Sequence, residues 1–180
     1  MTVAQYMGDA GTVFAGDIHG HKCRALAERV KRFGFSSIEV RQRDASMPPE
    51  ESLCGTFDRV VCDAPCSGMG VIRRKPEIRY KQPEEFAGLP ALQLEILTQA
   101  AKLVRPGGVL QYSTCTLHPE ENEQVVAAFL AGNPGFSPRP PTALAPCFAA
   151  AGLPVSHQIT LFPSIHGSDG FFVAGFHRHT

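Results

Sequence analysis

The tightest constraint on the fold is the run Val60-Val61-Cys62-Asp63-Ala64-Pro65-Cys66-Ser67-Gly68-Met69-Gly70. Phe57, Val60 and Val61 read as a short buried strand, and Pro65 stops that strand from pairing further. In an open α/β sheet, ligands bind just beyond the carboxyl ends of the strands, so Asp63 and Cys66 are expected at the mouth of a site. Ser67, Gly68 and Gly70 leave room for a substrate to approach the backbone. The pattern recurs at Gln111-Tyr112-Ser113-Thr114-Cys115-Thr116, where the apolar strand of Val109, Leu110 and Tyr112 again delivers a cysteine at its end. A lone cysteine usually behaves as a small buried hydrophobe. Two at strand ends, one beside an acid, point instead to thiolate chemistry.

A chain of 180 residues is read as one domain, 1–180, long enough for a real core. Lys+Arg and Asp+Glu balance at 17 each, so a nucleic-acid contact must come from a local patch rather than a global field. The six cysteines form no Cys-x-x-Cys pair, which argues against zinc, and a disulfide framework does not suit a chain of this size. His19 and His21 share a turn, where two histidines are more often solvated than metal-bound, so no metal is expected. With no apolar run able to span a bilayer and no leader pattern, the expectation is a cytoplasmic protein without a membrane partner.

Residues 1–11 look like the tail of a helix running into a Gly-Asp-Ala-Gly turn. Thr12–Asp17 is then a strand that ends in an acid, the position from which nucleotide-binding α/β folds hold a ribose. A plain helix cap is the simpler role for Asp17, and the two are compatible. His21–Phe33 reads as an amphipathic helix stopped by Gly34, and Ile38-Glu39-Val40 as a short strand followed by Asp44. An acid just past a third strand is a candidate for an adenine amine, although Asp also begins many loops.

After the Pro-Cys turn come Arg73, Arg74, Lys75, Arg79 and Lys81, five cations in nine residues with Tyr80 among them. Cations beside an aromatic suit phosphate contact and base stacking on single-stranded RNA. Most such runs are merely solvated, but this one sits at the mouth of the site. Leu89–Val104 has helical periodicity, closed by a Pro106-Gly107-Gly108 turn. Acids at Glu120 and Glu121 are expected in the first turn of a helix running to about Ala131. Residues 132–154 read as an irregular connector. The stretches 159–162 and 171–176 read as a closing antiparallel pair.

With these residues the chain resembles the Sun (Fmu) family of RNA cytosine-5 methyltransferases, closest to the RsmB type acting on small-subunit ribosomal RNA. The matching stretches are Asp63–Gly68, Arg73–Arg79, Pro106–Gly108, Tyr112–Thr116, Glu120–Asn122 and Asp169–Phe172. The resemblance implies a Rossmann-like α/β fold using S-adenosylmethionine, with ribosomal RNA as partner. It implies that Cys115 is the nucleophile, that Cys66 helps resolve the covalent adduct, and that Asp63 lies beside the methyl donor and target base. Asp17 would hold the ribose, Asp44 the adenine side, and Arg73, Arg74, Lys75 and Arg79 the RNA. A DNA cytosine methyltransferase would instead use the Pro-Cys cysteine as nucleophile, and the Ser-Thr-Cys-Thr element argues against it.

Family members place a strand, a Gly-Gly-Lys loop and a helix ahead of the strand ending at Asp17. This chain contains no Gly-Gly-Lys sequence. The expectation is an amino-terminally truncated domain, lacking the first strand and cofactor loop, with a gap in the sheet between the strands ending at Asp17 and Asp63. Poor affinity for the cofactor follows from that expectation. A remnant that binds RNA or protein without catalysis is the alternative.

Overall fold

Parallel strands need a crossover between them, and both parallel pairs among the described residues are joined through a helix. The computed structural model describes residues 1–140, 145–150 and 152–180, and divides them into two units, Met1–Met47 and Pro48–Thr180.

In the first unit, α1 (Thr2–Tyr6) is followed by β1 (Val13–Asp17), α2 (Gly20–Phe33) and β2 (Ile38–Gln42). β1 and β2 pair in parallel from Val13 with Ile38 to Asp17 with Gln42. Gly34 ends α2 in the left-handed conformation (φ 73°), which a residue without Cβ adopts freely. Asp9, also left-handed at φ 56°, accepts hydrogen bonds from the amides and hydroxyls of both Ser36 and Ser37. The turn before β1 is thereby tied to the turn before β2.

The second unit runs β3 (Phe57–Asp63), α3 (Leu89–Leu103), β4 (Val104–Thr114), α4 (Glu123–Gly132), β5 (Phe136–Pro138), α5 (Ala145–Ala150), β6 (Gln158–Leu161), α6 (Pro163–His166) and β7 (Phe171–Arg178). The strand order is β3-β4-β7-β5, with β6 also paired to β7. β3 and β4 are parallel, and β7 runs antiparallel to β4, β5 and β6. The apolar faces of α3 (Ile96, Leu97, Ala101) and α4 (Val125, Val126, Phe129) share a core with Leu110, Tyr112, Phe172, Ala174 and Phe176 of the sheet. Phe129 is fully buried, its ring 4.8 Å from that of Phe176 and 5.5 Å from that of Phe136. Each such side chain contributes about 1.5–3 kcal/mol by leaving water.

Among the described residues, β1 pairs only with β2 and β3 only with β4, so the strands form two sheets, the division expected from the sequence. Two expectations need correction. Pro106-Gly107-Gly108 is not a turn ahead of the strand: β4 begins at Val104 and absorbs these residues in a bulge opposite Phe57 and Arg59. The connector 132–154 is not wholly irregular, because Phe136–Pro138 pairs with β7 and residues 145–150 are helical; residues 141–144 and 151 lie outside the described residues. Among the described residues no helix is long and apolar enough to cross a membrane.

Candidate active site

Asp63 is the last residue of β3 and pairs with Ser113, one residue before the end of β4. Parallel neighbours in this register release their chains at the same edge of the sheet. The Ala64 amide, donating to the Ser113 carbonyl at 3.0 Å, carries the pairing one step further. Cys66 lies three residues beyond Asp63, and Cys115 directly follows Thr114. The two sulfurs stand 3.2 Å apart, and the Cys115 amide donates to the Cys66 sulfur at 3.3 Å. Both cysteines are half-buried.

The two thiols are not equivalent. The hydrogen bond from Cys66 brings the Cys115 pKa down to about 7, with help from its own backbone amide and the Lys75 charge, against burial and the negative charge of Asp63. The same hydrogen bond and burial push the Cys66 thiol up. Cys115 is therefore the more acidic thiol of the pair and Cys66 the less acidic. Asp63 is exposed and accepts a hydrogen bond from the Ser113 hydroxyl at 3.1 Å. Cys62, one residue earlier on β3, is buried and raised to about 12 by that burial, which makes it a packing residue.

A third segment closes on this pair. The Gly70 amide donates to the Cys115 carbonyl at 2.9 Å, and the Gly70 carbonyl accepts the Gly170 amide at 2.8 Å. The backbones meet so closely that a Cβ on Gly70 would run into the Gly170 and Cys115 carbonyl oxygens. Asp169 binds Arg74 at 2.7 Å and Arg73 at 3.5 Å. Two of the four candidate RNA-binding cations are thus already partnered by an acid. Lys75, Arg79 and Tyr80 are exposed.

Asp17 and Asp44 belong to the first unit. Asp17 accepts the His19 amide at 2.8 Å and pairs loosely with Lys22 at 3.4 Å, so its carboxyl is held below the usual range chiefly by that amide. An exposed ion pair of this kind contributes little stability. Asp44 accepts the hydroxyl and amide of Ser46 on one oxygen, Oδ1, an Asx turn that lowers its pKa. Both carboxylates are chemically suited to accept from hydroxyl or amine groups.

The sequence reading missed Gln93, and the polar cluster that it forms with Ser67, Thr116 and Glu121 beside the cysteines. Glu121 does not lie in the first turn of a helix: α4 begins at Glu123, and Glu121 and Asn122 point into the protein, 2% and 1% exposed. Their adjacency to the Ser-Thr-Cys-Thr turn was the available signal. Among the described residues no group of three or more His, Cys, Asp or Glu is arranged to hold a metal.

The fold is that of an α/β methyltransferase. It matches the solved structure of PH0851 with TM-score 0.84 at 31% identity, over 97% of this chain and 38% of that one. The structure of NSun6 from Pyrococcus horikoshii with SFG gives TM-score 0.79 at 27% identity, over 99% of this chain and 44% of that one. The family model described as 16S rRNA methyltransferase RsmB/F matches residues 1–177, and the chain belongs to that family. A relative in Bacillus subtilis, "Probable ribosomal RNA small subunit methyltransferase B", is 38% identical over 98% of this chain. The chain spans about 40% of the length of that relative.

Proposed function

We propose that this chain carries the reaction centre for transfer of a methyl group from S-adenosylmethionine to carbon-5 of a cytosine in ribosomal RNA, through a cysteine-linked intermediate. The observation that carries this reading is the 3.2 Å thiol pair at the ends of adjacent parallel strands, with one member poised as thiolate. The relatives' names support ribosomal RNA as the substrate class.

Carbon-5 of cytosine is not nucleophilic in the aromatic ring. Addition of the Cys115 thiolate to carbon-6 forms an S–C bond and makes carbon-5 electron-rich. S-adenosylmethionine would supply an electrophilic sulfonium methyl, its methyl–sulfur bond breaking to leave a neutral thioether. Once carbon-5 is methylated, its proton leaves to a base and the carbon-6–sulfur bond breaks, returning the electron pair to Cys115. The Cys66 thiol, within 3.2 Å of that sulfur, stabilises the departing thiolate by restoring the hydrogen bond of the free site. Asp63 would hold the amino edge of the base. A base paired in an RNA helix must leave its stack to reach the thiols. Asp17 and Asp44 would hold the ribose and adenine of the cofactor, and Lys75, Arg79 and Tyr80 the RNA strand.

The test is transfer of tritiated methyl from S-adenosylmethionine to 16S ribosomal RNA, with the label located by nucleoside analysis. Label in 5-methylcytosine that disappears in Cys115→Ala supports the reading. Label in another nucleoside, or its persistence in Cys115→Ala, refutes it.

A further inference from the structure

We infer that Glu121 is a positioning residue: through a latch made by Ser67 and Thr116 it fixes the distance between the Cys66 and Cys115 sulfurs. Ser67 directly follows Cys66, and Thr116 directly follows Cys115. Their hydroxyl oxygens are 2.8 Å apart, so the two turns are joined one residue past the thiols as well as at them. Both are fastened to one carboxylate. Glu121 Oε2 accepts the Ser67 amide at 2.9 Å, and Oε1 accepts the Thr116 hydroxyl at 3.4 Å. Gln93 of α3 donates from Nε2 to Glu121 Oε2 and to the Pro65 carbonyl, each at 2.9 Å, which holds the residue before Cys66 to the same point. The Tyr112 hydroxyl donates to the Glu121 carbonyl at 2.6 Å and ties the backbone to β4.

Packing does not require such a group. Glu121 is 2% exposed and, among the described residues, has no cation within ion-pair distance. Burying an unpaired carboxylate is costly, and a well-packed apolar side chain of similar volume serves stability as well or better. What the carboxylate supplies is two acceptor oxygens with fixed spacing, able to take donors from two different turns. Sulfur-to-sulfur distance is the quantity that this arrangement sets. In the proposed function that distance governs both the ionisation of Cys115 and its release.

The inference rests on that reading only for its meaning in catalysis, because sulfur spacing can be measured without RNA or cofactor. The reduced full chain is treated with diamide, whose nitrogen–nitrogen double bond takes up both thiol hydrogens and two electrons as the Cys66–Cys115 sulfur–sulfur bond forms. The joined peptide is quantified by mass spectrometry against time, with alkylation of the exposed Cys54 as control. Glu121→Gln keeps an acceptor for Ser67 and Gln93 and turns its amide toward Thr116, so its rate is expected within about threefold of native. Glu121→Ala frees both turns and is expected to slow crosslinking by about tenfold or more, with Cys54 unaffected. Thr116→Val, which leaves Glu121 in place but removes the bridging hydroxyl, slows it in the same direction. A folded Glu121→Ala protein that crosslinks at the native rate overturns the inference, as does Glu121→Gln behaving like Glu121→Ala. If Glu121→Ala does not fold, Thr116→Val decides, and an unchanged rate overturns it. Altered crosslinking without methyl transfer in the native chain would leave the positioning role standing and remove the proposed function.

Discussion

The Cys66 and Cys115 sulfurs share a hydrogen bond across 3.2 Å, so the acidity of one cysteine is set by the presence of the other. Only the thiolate is alkylated, and the rate of Cys115 modification by iodoacetamide rises with pH through its pKa of about 7. Removing the donor in Cys66→Ala moves that midpoint up toward the ordinary thiol value of 9.0. At neutral pH the variant is expected to react about tenfold more slowly or worse. Cys66→Ser, which retains a hydroxyl donor, falls between the two. Peptide-resolved alkylation across the pH range reads all three.

Under the proposed function, the same pair predicts opposite fates for the covalent intermediate. Cys115→Ala forms no protein–RNA adduct, because the attacking sulfur is gone. Cys66→Ala attacks more slowly but accumulates the adduct, because departure of Cys115 loses its hydrogen-bond donor. Denaturing gel electrophoresis with labelled ribosomal RNA distinguishes them, and the reverse pattern would exchange the two roles.

Gly70 and Gly170 leave no space for a methyl group on either backbone. Gly70→Ala and Gly170→Ala must each displace main chain rather than a flexible side chain, at a cost of about 1–3 kcal/mol or more. Urea unfolding measures the loss. Gly70→Ala should also disturb Cys115, whose carbonyl accepts the Gly70 amide at 2.9 Å.

Under the proposed function, unequal partnering of the cations predicts unequal contributions to RNA affinity. Arg73 and Arg74 already face Asp169, whereas Lys75 and Arg79 are exposed and absent from the ion pairs of the described residues. Lys75→Ala and Arg79→Ala should each lower the slope of log affinity against log salt by about 0.7, the loss of one single-strand phosphate contact. Arg73→Ala should change it less. Filter binding at several salt concentrations checks the order.

In the first unit, four hydrogen bonds from Ser36 and Ser37 hold the Asp9 carboxyl far below its ordinary value of 3.8, the Ser37 hydroxyl contributing most. A depressed folded pKa stabilises the fold at pH above the unfolded value, and that stabilisation is lost as pH falls through the folded one. Amide exchange at Ser36 and Ser37, normalised for intrinsic rates, should therefore lose protection progressively below pH 3.8. Asp9→Asn should show weaker protection at neutral pH and little of this acid dependence.

Where the sequence was legible, hydrophobic period and punctuation agreed. β1 ends at Asp17, α2 stops at Gly34, and β3 ends at Asp63 before Pro65, each marked by an apolar run and a residue that breaks it. The two cysteine turns could be placed for the same reason. Phe136–Pro138 escaped because three residues containing a proline carry no strand period; β5 exists by pairing with β7 and by the contact of Phe136 with Phe129. Pro106-Gly107-Gly108 has the composition of a turn, and only the long pairing of β4 makes it a bulge. Glu121 was hidden by a rule that is usually right: acids gather in the first turn of a helix, where the dipole favours them. Its burial depends on donors from Ser67 and Gln93, distant in sequence and brought together only by the fold.

β7 is the last of the described strands, yet it lies inside its sheet, with β4 along one edge and β5 and β6 along the other. Gly170, immediately before it, is the residue that seats the Pro-Cys turn. During synthesis on the ribosome, the thiols at positions 66 and 115 emerge long before the segment that fixes their surroundings. On the ribosome the two cysteine turns must wait for Gly170 and β7 before their backbone partners are in place.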